Sequence, residues 1–206
     1  MARVLDKGGI LLAVVFGAVL LVFGGWAYLA LMLVFLVLAV MVTQYEYGIK
    51  HELGLYEHER GWENVLSNGL LPAILAVLSP LAGPMPFIAS VAAVTADKFA
   101  SEIGVLAAEK PTFLLDLKPV KPGTSGAMSR IGTVASLAGS TALAVCAMFA
   151  FGINPTQALL ISLSGFAGCI ADTLFGVLEE RGIGTKGTTN FICALVGAIL
   201  AFIFIH

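Results

Sequence analysis

The chain has 206 residues, 59% of them hydrophobic and 12% charged, with a formal net charge of −2. That length suits one domain, taken as 1–206, whose apolar residues face lipid or neighbouring helices. Eleven Lys and Arg stand against thirteen Asp and Glu in the same polar stretches, a dense face of mixed sign that excludes a nucleic-acid patch and a plain basic membrane anchor.

A hydrocarbon core of about 30 Å takes about 20 apolar residues per helix. Seven runs are candidate spans: 8–23, 26–44, 62–79, 86–107, 127–151, 155–179 and 188–205. The predicted fold is therefore all-α and polytopic. The first run is short, and Gly24-Gly25 returns it tightly into the second as a hairpin. More membrane follows it and no small-residue cleavage site stands out, so it reads as a retained helix rather than a signal peptide.

The third span opens with Arg60-Gly61-Trp62-Glu63-Asn64, and Asn64 and Asn68 lie one turn apart on one face. Amides inside a membrane helix need partners. Here these are either neighbouring helices or a polar headgroup or nucleotide. In the fourth span Asp97 shares a face with Ser101, and Lys98 shares the next with Glu102. Lys98 and Glu102 can form an ion pair that makes a polar helix end tolerable. The link that follows carries Lys118-Pro119-Val120-Lys121-Pro122-Gly123-Thr124-Ser125-Gly126 before the fifth span. Helix N-termini expose free amides that bind phosphate, and glycines let a backbone close around anion oxygens. Lys118, Lys121 and Arg130 add countercharge, although the Gly-Lys-Ser/Thr ending of a Walker A loop is absent. The same sequence also suits a plain turn and N-cap.

In the sixth span Asp172, Gly176 and Glu179 line one face and Glu180 points to one side. Gly165, Gly168 and Gly176 permit close helix approach. Gly184-Thr185-Lys186-Gly187 then precedes the seventh span. Cys146, Cys169 and Cys193 have no metal-ligand spacing and read as reduced packing residues; His51, His58 and His206 are scattered and offer no zinc cluster.

Orientation follows from the basic residues. Arg3 and Lys7 lie in the tail; Lys50 and Arg60 between spans two and three; Lys98, Lys110, Lys118, Lys121 and Arg130 around the link from four to five; Arg181 and Lys186 between six and seven. Residues 79–86 and 152–155 have none. Basic loops stay cytoplasmic. The N-terminus and any chemistry are therefore predicted inside and the C-terminus outside; a short chain without a transit peptide predicts a prokaryotic plasma membrane.

Two units, 86–151 and 155–205, repeat a pattern: Ala-Asp late in a helix, a polar link, a Gly-Thr loop and a second helix. Both run the same way through the membrane, which predicts a parallel repeat about an axis along the membrane normal. It would bring both acids and both loops to one pocket. An Asp at the centre of a membrane helix costs about 2.5–3.5 kcal/mol on insertion scales. A cation, a Lys or a hydrated cavity must offset that. Asp97 and Asp172 facing one pocket would suit Mg²⁺, a hard ion that takes oxygen ligands and keeps waters and substrate phosphates.

Four motifs occur in order along nearly the whole chain: Arg60 to Gly69, Ala96 to Gly104, Lys121 to Gly126, and Asp172 through Glu180 to Asn190-Phe191. Together they resemble the integral-membrane family, long known only as a domain of unknown function, that includes the plant and cyanobacterial phytyl-phosphate kinases. Asp97, Phe99, Ser101 and Glu102 match its acidic motif, with Lys98 in place of Thr. Gly123, Thr124 and Gly126 match its Gly-Thr motif, while Ser125 and Ala127 depart from it. Asn190 is retained, and the asparagines usual near Thr185 and Lys186 are missing. The resemblance pairs the family's later acid with Glu180, whereas helical phase selects Glu179.

The resemblance implies an Mg²⁺-dependent kinase. It would transfer a phosphoryl group from a nucleoside triphosphate (CTP, UTP or ATP) to a phytyl- or geranylgeranyl-type isoprenoid monophosphate at the bilayer, giving the diphosphate. In that reading Asp97, Glu102 and Asp172 hold the metal. Lys121, Gly123, Thr124, Ser125 and Gly126 hold phosphates, and Arg130 or Lys186 offsets transition-state charge. Asn64, Asn68, Ser101, Lys118, Glu179 or Glu180, and Asn190 complete the substrate and nucleotide contacts. A CTP-dependent lipid-phosphate nucleotidyltransferase would use the same groups. A small transporter or carrier is the reading from another class, since parallel repeats and intramembrane acids occur there too.

Overall fold

The computed structural model describes residues 6–52, 54 and 61–205. Arg3, His58, Arg60 and His206, named above, lie outside the described residues. The helices are α1 (Lys7–Val19), continued by a wider π turn at Leu20–Gly24, α2 (Trp26–Gln44), α3 (Tyr47–Glu52), α4 (Trp62–Val77), α5 (Ser79–Ala82), α6 (Met85–Gly104), α7 (Arg130–Phe151), α8 (Pro155–Glu179) and α9 (Lys186–Phe204). Two short strands, β1 (Thr112–Phe113) and β2 (Ala127–Met128), pair antiparallel in the link between α6 and α7.

Each expected span is a helix. Lys7–Gly24, α2, α7, α8 and α9 are long and apolar enough to cross a membrane. Helix α4 has 16 residues and a proline, Pro72, while α6 carries Asp97, Lys98 and Glu102. The chain is an all-α, polytopic integral membrane protein. Gly25, at φ +83°, makes the return between the first two spans that Gly24-Gly25 predicts. Ends moved where local chemistry outweighed hydropathy. The fifth span starts at Arg130 rather than 127, because Ala127 and Met128 pair with the link and Ser129 caps the helix. The seventh starts at Lys186, where Thr185 and Thr188 form a reciprocal cap.

Lipid tails are as apolar as leucine, so helices in a bilayer associate through close packing of small residues. That places α6 at the centre: every residue from Pro86 to Asp97 is buried. Its alanines receive the glycines of its neighbours. A Cβ at Gly165 would stand 2.8 Å from the Ala92 Cβ, and one at Gly197 would stand 2.9 Å from the Ala89 oxygen. A Cβ at Gly168 would lie 2.5 Å from the Cys193 oxygen. Helices α6 and α8 thus run side by side in the same direction, and α7 and α9 return beside them, as the parallel repeat requires. On the other flank Tyr28 of α2 stacks near Phe87 and Phe151, with ring centroids 4.4 and 5.0 Å away. Gly69 of α4 receives Phe16 of α1.

Candidate functional site

Asp97 stands seven residues before Gly104, the end of α6, and Asp172 seven before Glu179, the end of α8. Because the two helices are parallel neighbours, the carboxylates arrive at one depth. Both are buried. Lys186 lies between them, its Nζ 3.0 Å from Asp172 Oδ2 and 3.7 Å from Asp97 Oδ1. As the first residue of α9, Lys186 sits at the positive end of a helix dipole, an unfavourable place for a cation. The two acids compensate it. Asp172 Oδ1 is buried and receives no hydrogen bond from the described residues. A buried acceptor without a donor is costly, so this oxygen is open to a further cationic or protic partner.

The acids open into a cavity of about 490 Å³, also lined by Ser101, the Pro122–Gly126 loop, Glu179 and Lys186. The strand pair carries that loop over the end of α8. Gly126 has φ +76°, and a Cβ there would come within 2.7 Å of the Val177 nitrogen; Gly176 makes the matching gap on α8. The role expected for Gly176, close approach, is thus fulfilled against the loop rather than a helix. The Ser125 amide donates to Glu180 Oε1 at 2.9 Å. Glu180 therefore fastens the loop from outside, and Glu179 is the acid that lines the cavity, accepting from Thr189 Oγ1 at 3.4 Å. Glu179 is also the one that helical phase places on the face of Asp172.

The loop is not the first turn of a helix, as its position before the fifth span suggested. Strand β2 intervenes, and Ser129 Oγ accepts from the Gly132 amide at 3.2 Å. An anion at Gly123–Gly126 would gain nothing from a helix N-terminus there. The two Gly-Thr segments are likewise offset, since Thr185 is a helix N-cap whereas Thr124 lies five residues before the cap Ser129.

Other expected residues lie elsewhere. Lys118 pairs with Asp116 at 3.1 Å in solvent, and its hydrogen bonds hold the Asp116 carboxyl below its usual range. Lys121 is exposed, and its carbonyl accepts from Thr124 Oγ1 at 2.8 Å. Arg130 is 91% exposed beside Glu109. None of the three lines the cavity. The charge expected from Arg130 or Lys186 comes from Lys186. Asn64 and Asn68 pair with each other, Nδ2 to Oδ1 at 2.8 Å, and also stay outside the cavity. Their neighbour Ser67 instead meets the buried Asn190, at 3.5 Å. Asn190 is a bridge between α9 and α4, with Oδ1 lacking a donor among the described residues.

Glu102 does not join the two aspartates as a third metal-ligating carboxylate. Five residues on from Asp97, it lines the same cavity but is held there by Lys98 at 2.8 Å, Lys50 at 2.9 Å and Thr43 Oγ1 at 2.7 Å. Among the described residues no three His, Cys, Asp or Glu side chains stand together as a metal cluster. The expected Lys98–Glu102 ion pair is present. Lys50 and Thr43 were not legible as its partners. Lys50 is fully buried and also donates to the Val42 and Thr43 carbonyls at 2.9 and 3.3 Å, closing the end of α2. A lysine in the short stretch Tyr47–Glu52, directly after α2, was the available signal.

The sequence matches the DUF92 family of integral membrane proteins over residues 1–198. The chain belongs to that family. It is 36% identical over 203 residues to the uncharacterized membrane protein MJ0933 of Methanocaldococcus jannaschii, covering 97% of this chain and 85% of that one. It is 34% identical to the uncharacterized membrane protein sll0875 of Synechocystis and 27% identical to Protein PGR of Arabidopsis thaliana, each over 75% of this chain. It spans 62% and 64% of the length of those two relatives. No solved structure matches the chain.

Proposed function

We propose that this DUF92 protein is a membrane phosphotransferase that moves a phosphoryl group from a nucleoside triphosphate to an isoprenoid monophosphate at the cytoplasmic face. The observation that carries the proposal is the meeting of Asp97 and Asp172, one oxygen of Asp172 lacking a donor, beneath a glycine loop in a single cavity.

Two carboxylates with an open oxygen fit Mg²⁺, which is commonly held by one or two carboxylates together with substrate phosphates. Asp97 and Asp172 would hold it, and when bound it would neutralise charge on the phosphates. In the loop the Ser125 amide is held by Glu180 and the Thr124 amide by the Lys121 carbonyl, so the amides of Gly123 and Gly126 are the ones that would orient phosphate oxygens. The half-exposed stem of Lys186 lets its ammonium follow charge from the carboxylates to a phosphate. Phosphoryl transfer needs in-line placement and charge neutralisation more than covalent help. An oxygen of the lipid phosphate attacks the γ-phosphorus, the bond to the β-phosphate oxygen breaks, and the nucleoside diphosphate leaves. The nucleophile is already anionic, so no residue need remove a proton.

The test is purified protein with Mg²⁺, CTP, UTP or ATP, and geranylgeranyl phosphate, followed by mass spectrometry of the lipid. Geranylgeranyl diphosphate with a nucleoside diphosphate is the expected result. No diphosphate with any nucleotide would overturn the assignment, and release of pyrophosphate would replace it with nucleotidyl transfer.

A further inference from the structure

A second cavity, of about 310 Å³, lies beside the glycine loop. Its walls are Phe113 of β1, Val120 and Thr124 of the link, and Glu180 and Arg181 just past α8. Thr124 also lines the cavity that holds the acids, so the two spaces meet across one loop residue.

The walls are of two kinds. Phe113 and Val120 are half-buried and present aromatic and aliphatic carbon. Backbone bonds fix their places: the Phe113 amide donates to the Lys118 carbonyl and the Val120 amide to that of Pro111, each at 2.9 Å. Glu180 and Arg181 are exposed at the rim. Glu180 gives Oε1 to the Ser125 amide, which leaves its other oxygen as an acceptor. The Arg181 guanidinium makes no ion pair or side-chain hydrogen bond among the described residues. Carbon faces with an acceptor and donors at the rim complement a nucleobase, which has a flat ring and a mixed hydrogen-bonding edge. Aromatic rings stack on any base, and the guanidinium plane stacks in the same way.

Distance points to the same ligand. From Asp172 to Glu180, the C-cap of α8, is eight residues, about 12 Å at 1.5 Å per residue. That is the reach of an extended nucleoside triphosphate from its γ-phosphorus to its base. The loop at Thr124 lies between the two ends.

We infer that the second cavity seats the base of the donor nucleotide, with Phe113 and Arg181 against the ring and Glu180 at its edge. The inference deepens the proposed function and rests on it for the place of the phosphates. The triphosphate crosses the loop at Thr124 and sets its γ-phosphate beside Asp97, Asp172 and Lys186. The nucleoside stays at the aqueous face of the link, and only the phosphates enter the cavity of the acids.

The experiment uses ATP and UTP carrying an azide on the base, irradiated with the full chain in detergent and mapped by mass spectrometry. Label on Phe113, Val120 or Arg181, removed by excess unmodified ATP or UTP, is expected. Competable label confined to the first cavity, at Val105, Pro111 or Met128, or no competable label with either probe, would overturn the inference. Arg181→Ala, at an exposed position, should weaken binding of ATP or UTP about tenfold, the scale of one lost stacking contact. Inorganic tripolyphosphate, which has no base, should bind that variant within about twofold of the unaltered protein. Equal loss for both ligands would also overturn the inference, because Arg181 would then hold phosphate. Competable label in the second cavity without any diphosphate product would defeat phosphoryl transfer and leave the base site standing. Diphosphate formed by a protein labelled only in the first cavity would do the reverse.

Discussion

Two groups of buried charge, a turn and a half apart on α6, are built in opposite ways. Around Glu102 the account is closed: Lys50, Lys98 and Thr43 all reach the carboxylate, and Lys50 also binds two carbonyls at the end of α2. Around Asp97 and Asp172 two acids share one lysine whose side chain is 48% exposed, and one buried oxygen lacks a donor. A closed ion cluster joins helices, because each partner is fixed by the others. An under-supplied pair of acids is poised to take a ligand. Buried carboxylates are thus used in two ways, one closed by its cations and one left short of them.

The largest expected effect tests the closed group. Lys50→Met removes a buried cation from its partners, and breaking such a pair costs about 3–5 kcal/mol. A lower melting temperature in detergent and poor recovery of folded protein should follow, while folded molecules still bind nucleotide. Next comes the open group. Asp172→Asn should lower diphosphate formation by about 10²- to 10³-fold, the usual scale for losing one preorganised charge contact, with an almost unchanged melting temperature. A large loss of stability there would make the two groups alike and remove the contrast.

Gly126→Ala should be intermediate. Positive φ and the 2.7 Å approach to Val177 both oppose a Cβ, so the loop lifts from α8. A cost of about 1–3 kcal/mol is expected for such strain, with a raised KM for nucleotide. Lys186→Gln should sharpen the view that the ammonium and Mg²⁺ compete for the same acids. Stabilisation by Mg²⁺, read as a thermal shift, should grow by about 1 kcal/mol, equivalent to several-fold tighter binding; a smaller shift than in the unaltered protein would count against it. Arg130→Ala, at an exposed position outside the cavity, should change stability by less than about 0.5 kcal/mol and activity by less than twofold.

Much of this arrangement was legible beforehand. Hydropathy located each long helix, and the Ala-Asp pattern paired α6 with α8, because helical period and repeat register are properties of the chain alone. Helical phase picked Glu179 over Glu180 for the same reason. The errors share a different character. Glu102 was placed with the metal, Arg130, Lys118 and Lys121 with the phosphates, and Asn64 and Asn68 with the substrate. Each assignment took sequence proximity, or membership in a motif, for spatial convergence. The structure sends those side chains to Lys50, to solvent, and to each other.

The order of apolar runs, glycines and acids along the chain determined where the long helices form, which end of each carries charge, and which small residues permit contact. Those features depend on local composition and on a period of 3.6 residues per turn. Whether Asp97 faces Asp172, whether Lys50 reaches Glu102, and whether the loop at Gly126 lies on α8 were decided only by packing. These outcomes depend on how four helices rotate and slide against one another to bring alanine onto glycine, and no single segment encodes that fit by itself.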